Sequence, residues 1–289
     1  MRVVTILHKI NKWSIMCNMD TIVLNNSISI KPSDLADWLI SHGKVTVTTE
    51  EVAKLLGISH NEVPQRIMRS RKKGQFIALG RGLWAVVPPE YREMGAPEPM
   101  RYIDSMMKFY GFEYCVGWLS AASLQGARHQ APQVFQVAVD NSVRGRVIGR
   151  SSLEFYKRTN VCDISKKRIT VSSGRAMVAV PGVTMLMVAS DVIISGGIDN
   201  VATVVTELAE ENDNYLNDII NNARLFPYAA VCRLGWLLEH VAGESSVDEL
   251  AAYCQNGRSP VMLSPHDGRS GTIDKRWNVI ENRLVETDI

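Results

Sequence analysis

The segment between Ser59 and Gly82 is rich in side chains that bind nucleic acid. It holds one acidic residue, Glu62, against six cationic residues, which are Arg66, Arg69, Arg71, Lys72, Lys73 and Arg81. Cations near phosphates release the counterions of DNA, so the binding that they support weakens steeply with salt. Asn and Gln pair with adenine edges in the major groove, and Arg pairs with guanine edges. The composition of this segment therefore predicts contact with double-stranded DNA.

These side chains fall on one side of a predicted helix. At about 100° of rotation per residue, Val63 and Ile67 define a buried face, and Ser70 lies beside them. The opposite face is predicted to be exposed and carries Asn61, Gln65, Met68, Arg69 and Lys72. A helix with such a face fits the major groove.

Two capping boxes mark the starts of consecutive helices, the first formed by Thr48 with Glu51 and the second by Ser59 with Glu62. A glycine follows each helix, where a left-handed residue is easiest to accommodate. The second helix of the pair is predicted to run to about Lys73.

The flanking segments complete a winged helix-turn-helix. A helix over residues 33–41, capped by Ser33, precedes the pair. After the pair, the sequence FIALGRGLWAVVP (76–88) predicts a hairpin with a tight turn at residues 80–82. This hairpin is the wing, and Arg81 at its tip is placed for a phosphate or a minor groove.

The predicted DNA contacts lie along this unit. They are Thr49, Ser59, His60, Asn61, Gln65, Arg66, Met68, Arg69, Arg71, Lys72, Lys73 and Arg81. Charge supports the assignment, because residues 1–92 carry 13 Lys and Arg against 7 Asp and Glu, a net charge of +6. Residues 93–289 carry 19 against 23, a net charge of −4. Only the first part of the chain therefore suits a polyanion.

The remainder of the chain predicts a larger α+β domain. A Pro-rich segment, residues 87–100, is the best boundary. Beyond it, the predicted helices are 101–110, 114–125 and a block over about 183–254, and the predicted strands are 134–139, 153–158, 176–180 and 276–286. The fold class is thus α+β, a winged helix-turn-helix followed by a mixed α/β domain. The domains are an extension over 1–19, the DNA-binding unit over 20–90 and the second domain over 91–289.

Neither a cofactor nor a metal ion is predicted. The sequence contains no phosphate-binding loop, nucleophile elbow or H-E-x-x-H motif. The five cysteines are an odd number, widely spaced and without a C-x-x-C pair, so we expect buried free thiols in a reducing cytoplasm. The apolar run over 176–189 is too short to span a membrane and contains Pro181.

The sequence predicts a DNA-binding regulator that is not an enzyme. Two alternatives to this prediction stay open. Asp140, Glu154 and Lys157 are similar to the acid–acid–lysine set of metal-dependent nucleases. That set needs the second acid and the lysine two residues apart, whereas an offset of three puts them on opposite faces of a strand. The other alternative is a regulator whose second domain senses a ligand, since aromatic-bearing helices can enclose a pocket.

Several segments resemble the AbiEi antitoxins of type IV (abortive infection) toxin–antitoxin systems. They are YREMGAPEPMRYIDSMMKFYGFEYCVGWLSAASLQGARHQAPQVFQVAVD (91–140), GGIDNVATVVTELAE (196–210) and RWNVIENRLVE (276–286). The chain departs from the family at Gln125, where a His often precedes the Gly, and residues 1–30 have no counterpart. Arg128, His129, Gln130 and Gln133 belong to the signature, either as part of a structural turn or in the antitoxin action.

The resemblance implies an autorepressor that binds inverted repeats at its own promoter, with cooperative self-association on DNA. It also implies a cognate nucleotidyltransferase-like toxin, which the antitoxin opposes without a stable complex. The second domain of such antitoxins is needed for the antitoxin action. No membrane is among the partners, and the DNA contacts fall on the second helix and the wing.

Overall fold

The computed structural model describes residues 30–127, 133–172, 174–255 and 259–287. The predicted extension over 1–19 lies outside the described residues, as do Cys17, Arg128, His129 and Gln130.

The N-terminal lobe, residues 30–88, combines short helices with a small antiparallel sheet in the order β1-β3-β2. Its elements are α1 (Leu35–Ser41), β1 (Thr46–Thr48), α2 (Thr49–Leu56), α3 (Val63–Arg66), α4 (Met68–Lys72), β2 (Phe76–Gly80) and β3 (Leu83–Val86).

The local signals predicted most of this lobe correctly. The capping box at the start of α2 is present, with the Glu51 amide donating to Thr48 Oγ1 at 3.1 Å and the Thr48 amide donating to Glu51 Oε2 at 2.7 Å. Gly57 ends α2 in the left-handed conformation, with φ of 64°. The hairpin of β2 and β3 also lies where it was predicted.

Three details of the lobe differ from the prediction. The cap of α1 is Asp34 and not Ser33, whose hydroxyl donates to the Asp34 carboxylate instead. The second helix is divided into a 3-10 turn over His60–Glu62, then α3 and α4, with Ile67 between them at ψ of 0°. Strand β1 was not predicted, because three residues are too few to show an alternating pattern.

The C-terminal lobe, residues 89–287, is built on a mixed sheet of six described strands in the order β6-β7-β5-β4-β9-β8. Its first elements are α5 (Pro99–Tyr110), β4 (Tyr114–Val116), α6 (Trp118–Leu124), β5 (Val134–Val139), β6 (Arg146–Ile148), β7 (Ser151–Lys157), β8 (Lys166–Val171) and β9 (Gly174–Ala179).

A helical block follows the sheet, as was predicted. It consists of α7 (Pro181–Ser190), α8 (Ile198–Glu211), α9 (Tyr215–Asn222), α10 (Tyr228–His240) and α11 (Asp248–Cys254). The chain then forms a second small sheet in the order β10-β12-β11, made of β10 (Val261–Met262), β11 (Thr272–Asp274) and β12 (Val279–Glu281).

Two predicted elements of this lobe were wrong in part. The helix expected over 114–125 begins only at Trp118, because residues 114–116 form the buried strand β4. A short run that is buried on both faces does not show whether it is strand or helix. The strand expected over 276–286 is confined to β12.

The sheets separate three apolar cores. The helix-pair core lies under α1, α2 and α3 and includes Leu35, Val52, Val63 and Ile67. The middle core lies between the two lobes and includes residues of α5, such as Ile103 and Met106, together with Val137. The helical core lies beyond the large sheet and includes residues such as Ala138, Leu186, Val205 and Leu237.

Strand β3 joins the two lobes because both of its faces are buried. Trp84 and Val86 belong to the helix-pair core, whereas Leu83 and Ala85 belong to the middle core. Side chains alternate between the faces of a strand, so one four-residue strand contributes to both cores. The helix pair is therefore packed onto the C-terminal lobe through a shared apolar layer.

Gly235 illustrates how closely the helical block is packed. A Cβ atom on Gly235, in the middle of α10, would overlap the indole ring of Trp277. That ring is fully buried, and its Nε1 donates a hydrogen bond to Glu239, so it has little room to move. Glycine is needed here for a close approach.

We predict that Gly235→Ala lowers the free energy of unfolding by about 1–3 kcal/mol, as overpacking of a buried site does. The overlap outweighs the gain of about 1 kcal/mol that alanine gives a helix. Urea denaturation measures the difference. In a Trp277→Phe background, which removes the overlapping part of the ring, the same substitution is expected to cost much less. An unchanged or higher urea midpoint for Gly235→Ala in the wild-type background would contradict the prediction.

Candidate nucleic-acid interface

The exposed side of α3 and α4 follows the predicted helix faces. Val63 and Ile67 are fully buried and Ser70 is 5% exposed, whereas the side chains opposite them face solvent. The exposed set, which we call the α4 surface, consists of Gln65, Arg66, Met68, Arg69, Arg71, Lys72 and Lys73. Met68 is 47% exposed and is the apolar member of this set.

The start of the helix pair also lies at the surface. Ser59, His60 and Asn61 are exposed in and before the 3-10 turn that precedes α3. The Glu62 carboxylate accepts hydrogen bonds from the Ser59 amide at 3.0 Å and from the Ser59 hydroxyl at 2.7 Å. These two bonds lower the pKa of Glu62 and so favour its charged form. A negative charge at the start of a helix interacts favourably with the helix dipole.

Most cations of the α4 surface are free of ion pairs. Arg66 Nη2 lies 3.7 Å from Oε1 of Glu62, which precedes Arg66 by about one helical turn. In the part of the chain that the structure describes, no acidic side chain pairs with Arg69, Lys72 or Lys73. Unpaired cations on one helix face give a surface that attracts a polyanion.

Arg71 is held by an aromatic ring. Its guanidinium carbon lies 4.9 Å from the centre of the Trp84 ring, a cation–π distance. Trp84 is buried in the helix-pair core, and its Nε1 donates to Thr49 Oγ1 at 3.1 Å. The three side chains therefore connect the start of α2, the centre of β3 and α4.

This arrangement corrects the prediction for Thr49. Its side chain is only 5% exposed, and its hydroxyl accepts from Trp84, so it does not belong to the exposed surface. The sequence position at the first turn of α2 did not reveal this, because the partner Trp84 is 35 residues away.

Arg81 is exposed in the turn between β2 and β3. The turn is anchored to the C-terminal lobe, since the Tyr110 hydroxyl donates to the Arg81 carbonyl at 3.4 Å and Arg146 Nη1 donates to the Leu79 carbonyl at 2.5 Å. A Cβ on Gly82 would lie 3.4 Å from the Phe109 ring. The backbone of the turn is therefore held in place, while the Arg81 side chain remains accessible.

The acidic set of the C-terminal lobe is not brought together. On β7, Leu153 and Phe155 face the middle core, so Glu154 points to the other side and Lys157 shares the side of Leu153. The offset of three therefore separates Glu154 from Lys157, as expected. Among the described residues, no group of three or more His, Cys, Asp or Glu side chains is placed to hold a metal ion.

The cysteine prediction was right in part. Cys115, Cys232 and Cys254 are buried and, among the described residues, form no disulfide, whereas Cys162 is exposed. Cys162 lies in the turn between β7 and β8, where no neighbouring element covers it.

Sequence reasoning missed the position that organises the signature segment, Gln136. Its side-chain oxygen accepts from the Leu119 amide at 2.9 Å, and its Nε2 donates to the Ile194 carbonyl at 2.8 Å. Its own amide donates to Ser120 Oγ at 2.9 Å. Gln136 is buried and connects β5 to the start of α6 and to the loop after α7. A glutamine among apolar residues, VFQVAV, was the signal for a buried polar contact.

A family comparison agrees with this segment. Residues 115–240 match the family model described as the AbiEi antitoxin C-terminal domain. The match spans less than half of the chain and confirms, over these residues, the resemblance to AbiEi antitoxins predicted from the sequence. This match indicates an antitoxin role in a toxin–antitoxin system.

A solved structure shares the fold of this chain beyond the matched domain. The crystal structure of the RV2827C protein from Mycobacterium tuberculosis is similar with a TM-score of 0.65 and 16% identity. The similarity covers 88% of this chain and 94% of that chain. At this identity the similarity shows a common fold alone. A comparison with curated protein sequences finds no match. None of the described helices is long and apolar enough to cross a membrane.

The contact between Trp84 and Thr49 makes a testable prediction. We expect Thr49→Val, which keeps the shape but removes the hydroxyl, to lower the free energy of unfolding by about 1–3 kcal/mol, because the buried indole N–H loses its acceptor. Thr49→Ser keeps the hydroxyl and serves as the control with a smaller loss. Urea denaturation of both variants in the wild-type and Trp84→Phe backgrounds measures the coupling. Equal losses from Thr49→Val in the two backgrounds would show that the bond does not stabilise the lobe.

Proposed function

We propose that this chain is a DNA-binding autorepressor as well as an antitoxin, and that residues 20–90 form a winged helix-turn-helix. The observation that carries the proposal is the α4 surface, where Arg69, Lys72 and Lys73 are exposed and have no acidic partner among the residues that the structure describes. In this interpretation α2 and the α3–α4 segment are the helix-turn-helix, and the β2–β3 hairpin is the wing. The lobe has the element order that such a unit requires.

The proposed contacts divide into two classes. Asn61, Gln65 and Arg69 are suited to base edges, since amides pair with adenine and guanidinium groups with guanine. The remaining cations, together with Ser59 and His60, are suited to phosphates, which position the protein without reading the sequence. Met68 fits the methyl group of a thymine. Arg81 at the wing tip is proposed to contact a phosphate or the minor groove.

The operator is proposed to contain inverted repeats, bound with cooperative self-association on DNA. The C-terminal lobe, residues 91–289, is proposed to oppose a nucleotidyltransferase-like toxin without forming a stable complex. Support for this part comes from the family to which the AbiEi domain belongs. No observation on the described residues favours the nuclease or the ligand-sensing regulator as the primary function.

A footprint of the purified full chain on the DNA upstream of its own coding sequence tests the proposal. We expect protection of two half-sites. Their occupancy should rise more steeply with protein concentration than the occupancy of a single independent site. Uniform, weak protection along the fragment would instead indicate binding without an operator. Rescue of growth when the chain is co-expressed with the product of the neighbouring gene tests the antitoxin role separately.

Arg69→Ala should weaken operator binding by about 1–3 kcal/mol, as the loss of one bidentate base contact does, and relax the preference at one base pair. Gel-shift titrations on the operator and on single-base variants measure both effects. Lys54→Ala is the matched control, because Lys54 is exposed on α2 but already paired with Glu50 at 2.9 Å. Unchanged affinity and selectivity for Arg69→Ala would remove the α3–α4 segment from the interface.

Lys73→Ala should weaken binding to all sequences alike. The loss of one phosphate contact lowers the slope of log K against log salt by about 0.9. Titrations at a series of salt concentrations, on operator and unrelated DNA, give the slopes. If the slope for Lys73→Ala equals that of wild type, Lys73 is a solvated charge at the end of α4 and contacts no phosphate.

A further inference from the structure

A cleft of about 970 Å³ lies between the two lobes, away from the α4 surface. The N-terminal lobe contributes the end of α1, the edge strand β1 and the start of α2, with Lys44 and Thr46 among the lining residues. The C-terminal lobe contributes α5 and the β8–β9 hairpin, with Arg101, Phe109 and Arg175. The volume is in the upper part of the range for small-molecule sites.

The cleft is lined by cationic side chains from both lobes. Lys44, Arg101 and Arg175 line it, and in the described part of the chain no acidic side chain pairs with them. Lys108 also lines the cleft but is paired with Asp104 at 2.9 Å. The one acidic side chain of the lining, Glu51, is occupied by the capping box of α2.

Arg101 is held at its position by an aromatic ring. Its guanidinium carbon lies 4.9 Å from the centre of the Tyr91 ring, a cation–π distance. The stacked ring holds the guanidinium at the wall of the cleft, where an anion can accept from it.

The rest of the lining suits a phosphorylated ligand with a planar group. Both walls carry hydroxyl groups, which are suited to donate to phosphate oxygens. They belong to Thr46, Thr48, Ser105, Thr170 and Ser172. Phe109, which is 41% exposed, offers a ring for stacking. Base–aromatic stacking is tolerant of the base, so the ring does not select one nucleobase.

We propose that this cleft binds a nucleoside polyphosphate, with its phosphates on Lys44, Arg101 and Arg175 and its base on the Phe109 ring. The cleft and the α4 surface lie at opposite edges of the same three-stranded sheet, because β1 lines the cleft and β2 lies beside Met68 and Arg71 of α4. The cleft is therefore separate from the α4 surface, although its Phe109 ring lies next to Gly82 in the wing turn. A ligand that contacts both lobes would stabilise their present arrangement.

The test uses the full chain with ATP, GTP and inorganic tripolyphosphate as probes, each titrated by calorimetry and by thermal unfolding. We expect binding of all three, and a double variant Lys44→Ala/Arg175→Ala to weaken each at least about tenfold, because charge-assisted contacts to phosphate are lost. The double variant Lys54→Ala/Lys157→Ala removes the same charge from exposed positions outside the cleft lining and should bind like wild type. Phe109→Ala should weaken the nucleotides but leave tripolyphosphate unchanged.

Three outcomes would overturn the proposal. The first is that no probe binds at millimolar concentration. The second is that the Lys44→Ala/Arg175→Ala variant binds the probes as tightly as wild type. The third is that this variant loses operator affinity while the wild-type chain binds no nucleotide. The last outcome would make the cleft part of the DNA interface. Arg69→Ala keeps the two proposals distinguishable, because it should leave nucleotide binding at the wild-type level whether or not the chain binds an operator.

Discussion

The structure depends on the burial of both faces of β3. Trp84 and Val86 enter the helix-pair core, while Leu83 and Ala85 enter the middle core beneath α5. A strand that is buried on both sides cannot move relative to either layer without exposing apolar surface, which costs roughly 25 cal/mol per Å². The small sheet therefore belongs to both lobes. The helix pair is therefore packed directly onto the C-terminal lobe.

This constraint determines what the basic surface can present. Trp84 holds the start of α2 through Thr49 and lies under the guanidinium of Arg71, so one buried ring positions two helices. On the same strand pair, the turn at Arg81 is bonded to Tyr110 and the preceding strand to Arg146. The exposed cations are therefore carried by a backbone whose position depends on the C-terminal lobe. Substitutions in α5 can affect the basic surface without touching it.

In the C-terminal lobe, a second strand likewise contributes side chains to two cores. The large sheet has its own buried strands, and β5 alternates between the middle core at Val137 and the helical core at Ala138. Gln136 is the polar exception on that strand, and it forms hydrogen bonds with the Leu119 amide, the Ser120 hydroxyl and the Ile194 carbonyl. Gln136 thus connects three segments of the lobe through hydrogen bonds. The two sheets contact each other at the edge strands β2 and β6, and the interlobe cleft lies at their opposite edges, β1 and β8.

The sequence by itself determined the features that depend on near neighbours. The capping box of Thr48 with Glu51, the left-handed Gly57 and the buried face of Val63 and Ile67 all arise from residues within a few positions of one another, and their spacing was sufficient to predict them. The tertiary structure alone decided which of the residues predicted to be exposed are accessible. It also decided how β4 and the short edge strands pair, and it brought cations from both lobes to one cleft. Burial of Thr49 illustrates the reason, since its partner is 35 residues away in the sequence. Contacts between distant segments have no period or spacing in the sequence, so they become visible only when the layers are packed together.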